Sequence, residues 1–134
     1  MVGISESIKL LILEDDEIDQ MALERYFKVQ NLNYDYTIVD SVANAKQLIK
    51  NNSFDVILSD HQLVDGNGTE LLGKDLKIPL ILVTGAGDQR LAVNAMKMGA
   101  FDYLVKDYER TYLHFIPIII QKAISHTVQN RKFL

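Results

Sequence analysis

The sequence predicts an α/β fold: a parallel sheet with right-handed crossovers and helices on both sides. Two observations carry this. Four short runs rich in Val, Ile and Leu, at 8–13, 54–58, 78–83 and 101–105, are bounded by polar or glycine residues, and a more polar fifth spans 34–39. Runs of this kind read as strands covered on both faces, and their length favours strand over buried helix. Between the runs lie segments with apolar residues at helical spacing, with no room for hairpins.

Taken in order, the first run is followed by Ile18, Ala22 and Tyr26 on one helical face. After 34–39, Ser41 is a good N-cap for a helix carrying Val42, Ala45 and Ile49. The segment after Asp65 offers only a short helix, through Leu71, Leu72 and Leu76, between Gly68 and Pro79. Behind Asp88, the residues Ala92, Ala95 and Met96 repeat the helical pattern. Pro117 would break a helix begun at Thr111 but suits the first helical position, so the final helix starts near Ile116 after a longer loop. Its packing stripe is Ile120, Ala123, Ile124 and Thr127. Each strand is thus followed by a helix, within a single domain over 1–134 whose core runs from about 8 to 130. There is no repeat, low-complexity tract or linker.

A chain of 134 residues can bury a real core without covalent staples. Its 48% hydrophobic and 24% charged residues are those of an ordinary globular protein. The absence of cysteine excludes a disulfide framework, a thiolate metal site and a thiol nucleophile, and suits a reducing compartment, so the cytoplasm is expected. With a net charge of -4 and no long basic run, no direct nucleic-acid contact is expected. Residues 1–6 lack a targeting pattern, and no apolar run approaches a membrane span, so no membrane attachment is expected.

In open α/β sheets ligands bind outside the carboxyl ends of the strands. Glu14, Asp15 and Asp16 follow the first strand, Asp60 the third, Thr84 and Gly85 the fourth, and Lys106 the fifth. Converging carboxylates repel unless a cation sits among them, and hard oxygen ligands suit Mg²⁺. Phosphoryl transfer needs an in-line nucleophile and positive charge around the equatorial oxygens. Asp60 supplies the nucleophile, a metal and Lys106 the charge, and the Thr84 hydroxyl with the Gly85 N–H can bond a remaining oxygen. Taken singly, each residue has a plainer reading: acids at a helix start, a surface lysine, a capping threonine. Their common position at the strand ends favours the chemical one. The neighbouring His61 is expected at the surface, His114 and His126 have no partner pattern, and Met96 and Met98 are expected to fill core gaps.

The stretches "LILEDDEID", "DVILSDHQLVDGNG", "LVTGAGDQRLAVNAMKMGA" and "FDYLVKD" resemble, in order and spacing, the receiver domain of two-component response regulators, over about 8 to 130. The resemblance implies a flavodoxin-like (βα)5 fold with strand order 2-1-3-4-5 and five helices. It implies Asp60 as phosphoacceptor, with Mg²⁺ (or Mn²⁺) held by Glu14, Asp15, Asp60 and the main-chain carbonyl of Gln62. Asp16 is a surplus acid able to replace or support the pair. Thr84 and Lys106 match the family's hydroxyl and lysine, Tyr103 its switch aromatic, and Gln62 and Ala86 border the path of hydrolytic water.

The implied donor is a histidine kinase or histidine phosphotransfer protein, and the domain is no enzyme in its own right, although it assists its own phosphorylation and dephosphorylation. A downstream partner or attached output domain would meet the 88–98 helix, the 101–105 strand and the final helix. The chain is then a free-standing receiver or a piece of a longer protein. Asp107 stands where most of the family has proline, which leaves the geometry of the Lys106–Asp107 bond open. Two rivals remain. A phosphatase of the haloacid dehalogenase type would need a second Asp where Gln62 stands. A docking module acting without phosphorylation would be marked by a missing acid, threonine or lysine, and none is missing.

Overall fold

The computed structural model describes the backbone of residues 7–132 and the side chains of 7–129; the reading of residues 1–6 lies outside the described residues. Strands β1 (Ile8–Leu13), β2 (Tyr34–Val39), β3 (Val56–Asp60), β4 (Leu80–Gly85) and β5 (Asp102–Lys106) form one parallel sheet in the order 2-1-3-4-5. The helices are α1 (Glu17–Val29), α2 (Val42–Asn51), α3 (Gln89–Lys97) and α4 (Ile116–Lys132). This is the flavodoxin-like, doubly wound arrangement.

The alternation of side chains along each strand divides the core in two. Leu10, Ile12, Val56, Leu58, Ile81 and Val83 face α1 and α4, where they meet Leu23, Phe27, Ile116, Ile119, Ile120 and Ala123. Leu11, Leu13, Ile57, Leu80 and Leu82 face the other way, against Val42 and Ala45 of α2 and Ala95 of α3. Because both faces are covered, the buried stretches of the central strands, 10–13, 56–58 and 80–83, are apolar at every position. β2, at the sheet edge, exposes Asp35 and Thr37.

Several expectations need correction. The short helix expected between Gly68 and Pro79 is a single 3₁₀ turn, Gly68–Leu71, so the described residues hold four α-helices rather than five. Gly73 and Pro79 leave only Lys74 to Ile78 between two helix breakers, too few residues to repay nucleation. Leu71 is buried against α2 all the same, and Glu70 accepts a 2.7 Å hydrogen bond from Asn67 N–H to close the turn. In α1 the buried residues are Leu23 and Phe27, and Ile18 is 66% exposed. Met96 and Met98 are exposed rather than filling core gaps, because the face that α3 turns to the core is occupied by Ala92 and Ala95.

Pro117 lies in the first turn of α4, and the loop before it carries a second 3₁₀ turn, Thr111–Phe115. The apolar excess of α4 is largely core: Ile116, Ile119 and Ile120 are buried, and Ile118 is exposed. Among the described residues no helix is long and apolar enough to cross a membrane.

Candidate functional site

Strand register gathers the site. Leu13 pairs with Ser59 and Asp60 with Val83, while Gly85 pairs with Lys106, so the last residues of β3, β4 and β5 and the residue after β1 share one edge of the sheet. Asp60, Gly85 and Lys106 are the final residues of their strands, and Thr84 the one before Gly85, rather than the first residues beyond them. Glu14, Asp15 and Asp60 each bring a carboxylate oxygen into a group whose members lie within 4.8 Å of one another.

Asp16 is not in this group. Its side chain is the N-cap of α1 and accepts from Ile18 N–H at 2.8 Å and Asp19 N–H at 3.4 Å, which occupies it with the orphan donors of the helix start. Its backbone N–H donates to Glu14 Oε2 at 3.2 Å.

Lys106 closes the site. Its Nζ lies 2.8 Å from Glu14 Oε1, 2.8 Å from Asp19 Oδ2 and 3.5 Å from Asp60 Oδ2, so one ammonium is shared among three acids. Asp19, on the first turn of α1, also pairs with Arg110 at 3.3 Å. Burial pushes Glu14 up from 4.5 to about 7, opposed by the bond from Lys106 and reinforced by the charge of Asp60. Burial likewise raises Asp60, with Lys106 opposing. Burial would lower Lys106, but the bonds with Asp19 and Glu14 and the charge of Asp60 outweigh it and hold its pKa above the usual lysine value. These groups together can bind a hard cation and place an ammonium beside a carboxylate nucleophile.

The other predicted residues differ in burial. Thr84 is buried, and its hydroxyl donates to Leu104 C=O at a long 3.5 Å. Tyr103 is 41% exposed, facing outward from the edge strand. Gln62 and Ala86 are exposed, Gln62 in a small hairpin that pairs it with Asn67. His61 differs from expectation. It is half-buried, with Nδ1 covered and without a hydrogen-bond partner, because its backbone is tied to Val83 C=O and to Gly68 N–H.

Four supporting residues escaped the sequence. Asp19 holds Lys106. Asp65 caps α2 from a distance, accepting from Val42 N–H at 2.8 Å and Ala43 N–H at 3.0 Å beside the Ser41 cap. Asp107, in the place of the family's proline, accepts from Thr111 N–H and hydroxyl and from Tyr112 N–H, bonds that hold its carboxyl below the usual range. The Lys106–Asp107 bond is trans. Tyr112 is 3% exposed, with burial pushing its phenol up to about 12. Only Asp65 carried a readable signal, as an acid in a Gly/Asn loop.

A family model described as "Response regulator receiver domain" matches residues 10–116. The TorCAD operon transcriptional regulatory protein TorR of Escherichia coli (strain K12) is 34% identical over 103 residues, 75% of this chain and 44% of its own. The chain therefore spans less than half the length of that relative. The crystal structure of full-length FixJ from B. japonicum aligns with a TM-score of 0.81 at 26% identity, covering 96% of this chain and 63% of that one. A response regulator receiver domain protein from Clostridium thermocellum aligns with a TM-score of 0.77 at 25% identity, covering 91% and 98%. With the sheet order, the convergent acids and these likenesses together, the chain belongs to the response regulator receiver domain family.

Proposed function

We infer that this receiver domain takes a phosphoryl group from a phosphohistidine donor onto Asp60 and changes conformation as a result. The observation that carries the reading is the meeting of three carboxylates and one shared lysine at the carboxyl edge of the sheet. Glu14, Asp15, Asp60 and the main-chain carbonyl of Gln62 would hold Mg²⁺, and the hard oxygen donor set fits that ion. When bound, the ion neutralises charge on the phosphoryl oxygens. An Asp60 oxygen attacks the phosphorus in line, the P–N bond breaks, and its electron pair leaves with the imidazole. Lys106 then exchanges one of its carboxylate partners for a phosphoryl oxygen. The Thr84 hydroxyl, weakly held by Leu104, turns toward the same group, and Tyr103 moves inward behind it.

The histidine kinase or phosphotransfer protein that supplies phosphate would dock around the exposed mouth. Output would pass through α3, β5 and α4, where Val93, Met96, Tyr103, Val105 and Ile118 are exposed. Asp60→Ala should abolish uptake of phosphate from a small phosphodonor in Mg²⁺, read by intact mass and peptide mapping. Label on a histidine, or on Asp60 without divalent metal, would overturn the mechanism. Backbone NMR with beryllofluoride tests the switch, which requires shifts at Tyr103 and along α4.

A further inference from the structure

Three buried side-chain polar atoms lack a partner among the described residues: His61 Nδ1, Arg110 Nε and Tyr112 Oη. Tyr112 is the most informative of them. It belongs to the 3₁₀ turn between β5 and α4 and is held there by its own N–H bond to Asp107. A buried hydroxyl without a partner costs free energy that an isosteric phenyl ring would avoid. This one lies in the field of Lys106, Asp19, Glu14 and Arg110, so its polar end faces the charged cluster.

Directly beneath the acids is a cavity of about 10 Å³ lined by Glu14, Asp60, Tyr112 and the apolar Leu23, Leu58 and Val83. That is about the room one water needs, and a buried water needs two to four polar partners. The cavity offers three: a phenol that can donate and two carboxylates that can accept. A purely apolar floor would stay dry. Glu14 accepts from Lys106 and from Asp16 N–H and lies against the Asp60 carboxyl, and a carboxylate with four lone-pair directions can accept a further bond.

We propose that Tyr112 is a positioning residue of the metal site: its hydroxyl holds one buried water beneath Glu14 and Asp60 and so fixes the Glu14 carboxylate in the orientation that meets a divalent cation. The assignment rests on the metal-dependent reading of Asp60. Partners that orient a ligating carboxylate from outside the coordination shell commonly set metal affinity, and Tyr112 does so from the floor of the site while touching neither metal nor phosphate.

Tyr112→Phe keeps the ring and removes only the hydroxyl. Titration with MgCl₂, followed by the backbone NMR shifts around Asp60, should show affinity weakened several-fold, up to on the order of tenfold. The metal-free thermal midpoint should be unchanged or higher, and phosphorylation at saturating Mg²⁺ should proceed at the wild-type rate. Unchanged Mg²⁺ affinity would overturn the proposal. Weaker affinity with a lower thermal midpoint would overturn it too, because the hydroxyl would then be a general support of the fold. A wild-type protein that binds no Mg²⁺ would instead overturn the metal-dependent reading itself, and this inference with it.

Discussion

Lys106 Nζ lies 2.8 Å from Glu14 Oε1, tying the end of β5 to the residue after β1 across 92 positions of sequence. The pair is mostly shielded from water, with side-chain exposures of 21% and 5%. Asp19 and Asp60 share the same ammonium, so one lysine offsets the charge of three acids.

Removing that lysine should therefore separate stability from metal binding. Lys106→Ala leaves Glu14 and Asp60 without their cation and should cost on the order of 2 kcal/mol, less than breaking a fully buried pair. Mg²⁺ should recover much of the loss, because it restores positive charge to the same acids. Asp15→Asn should do the reverse, with little change in metal-free stability and a loss of Mg²⁺ affinity of at least about tenfold. Thermal melts with and without Mg²⁺ check both; equal losses of metal affinity in the two variants would contradict the division of roles.

Glu14 should make stability depend on pH. Its pKa rises from 4.5 to about 7 on folding, chiefly through burial, so the folded protein holds that proton more tightly than the unfolded chain. The resulting stability is fully present below 4.5 and is lost as pH rises through about 7. Without metal, the thermal midpoint should fall between about pH 5 and about pH 8, more steeply than in Glu14→Gln. Mg²⁺ should offset the fall at the upper end, where Glu14 is charged and free to bind it.

Gly68 should be intolerant of a side chain. A Cβ there would meet Ser59 Oγ and stand 2.6 Å from the Asp60 carbonyl oxygen, so the backbone on which Asp60 sits would have to shift. Gly68→Ala should destabilise the domain by about 1–3 kcal/mol. Phosphate uptake should slow as well, measured at a temperature where the variant remains folded.

Ala86 should set the persistence of the phosphorylated state. It is exposed two positions after Thr84, and its methyl group has no polar atom to orient a water and little bulk to block one. Ala86→Tyr should slow phosphate loss, followed by intact mass after removal of the donor. An unchanged decay rate would place the water path elsewhere.

The sequence by itself determined the sheet and the identity of the acids along its edge. A strand covered on both faces is apolar at nearly every position, so the runs 8–13 and 54–58, each broken by a single charge near its start, are legible without neighbours. Ser41 is legible too, because a cap bonds only three residues ahead. What the tertiary structure decided are relationships between residues far apart in the chain. Asp19 meets Lys106, Asp65 reaches the start of α2, and Tyr112 comes to lie under Glu14 only because the crossovers stack those segments. The missing helix before Pro79 and the outward turn of Met96 have the same origin. Apolar residues at helical spacing state what a segment can bury, but how closely the segment approaches the sheet settles whether it must.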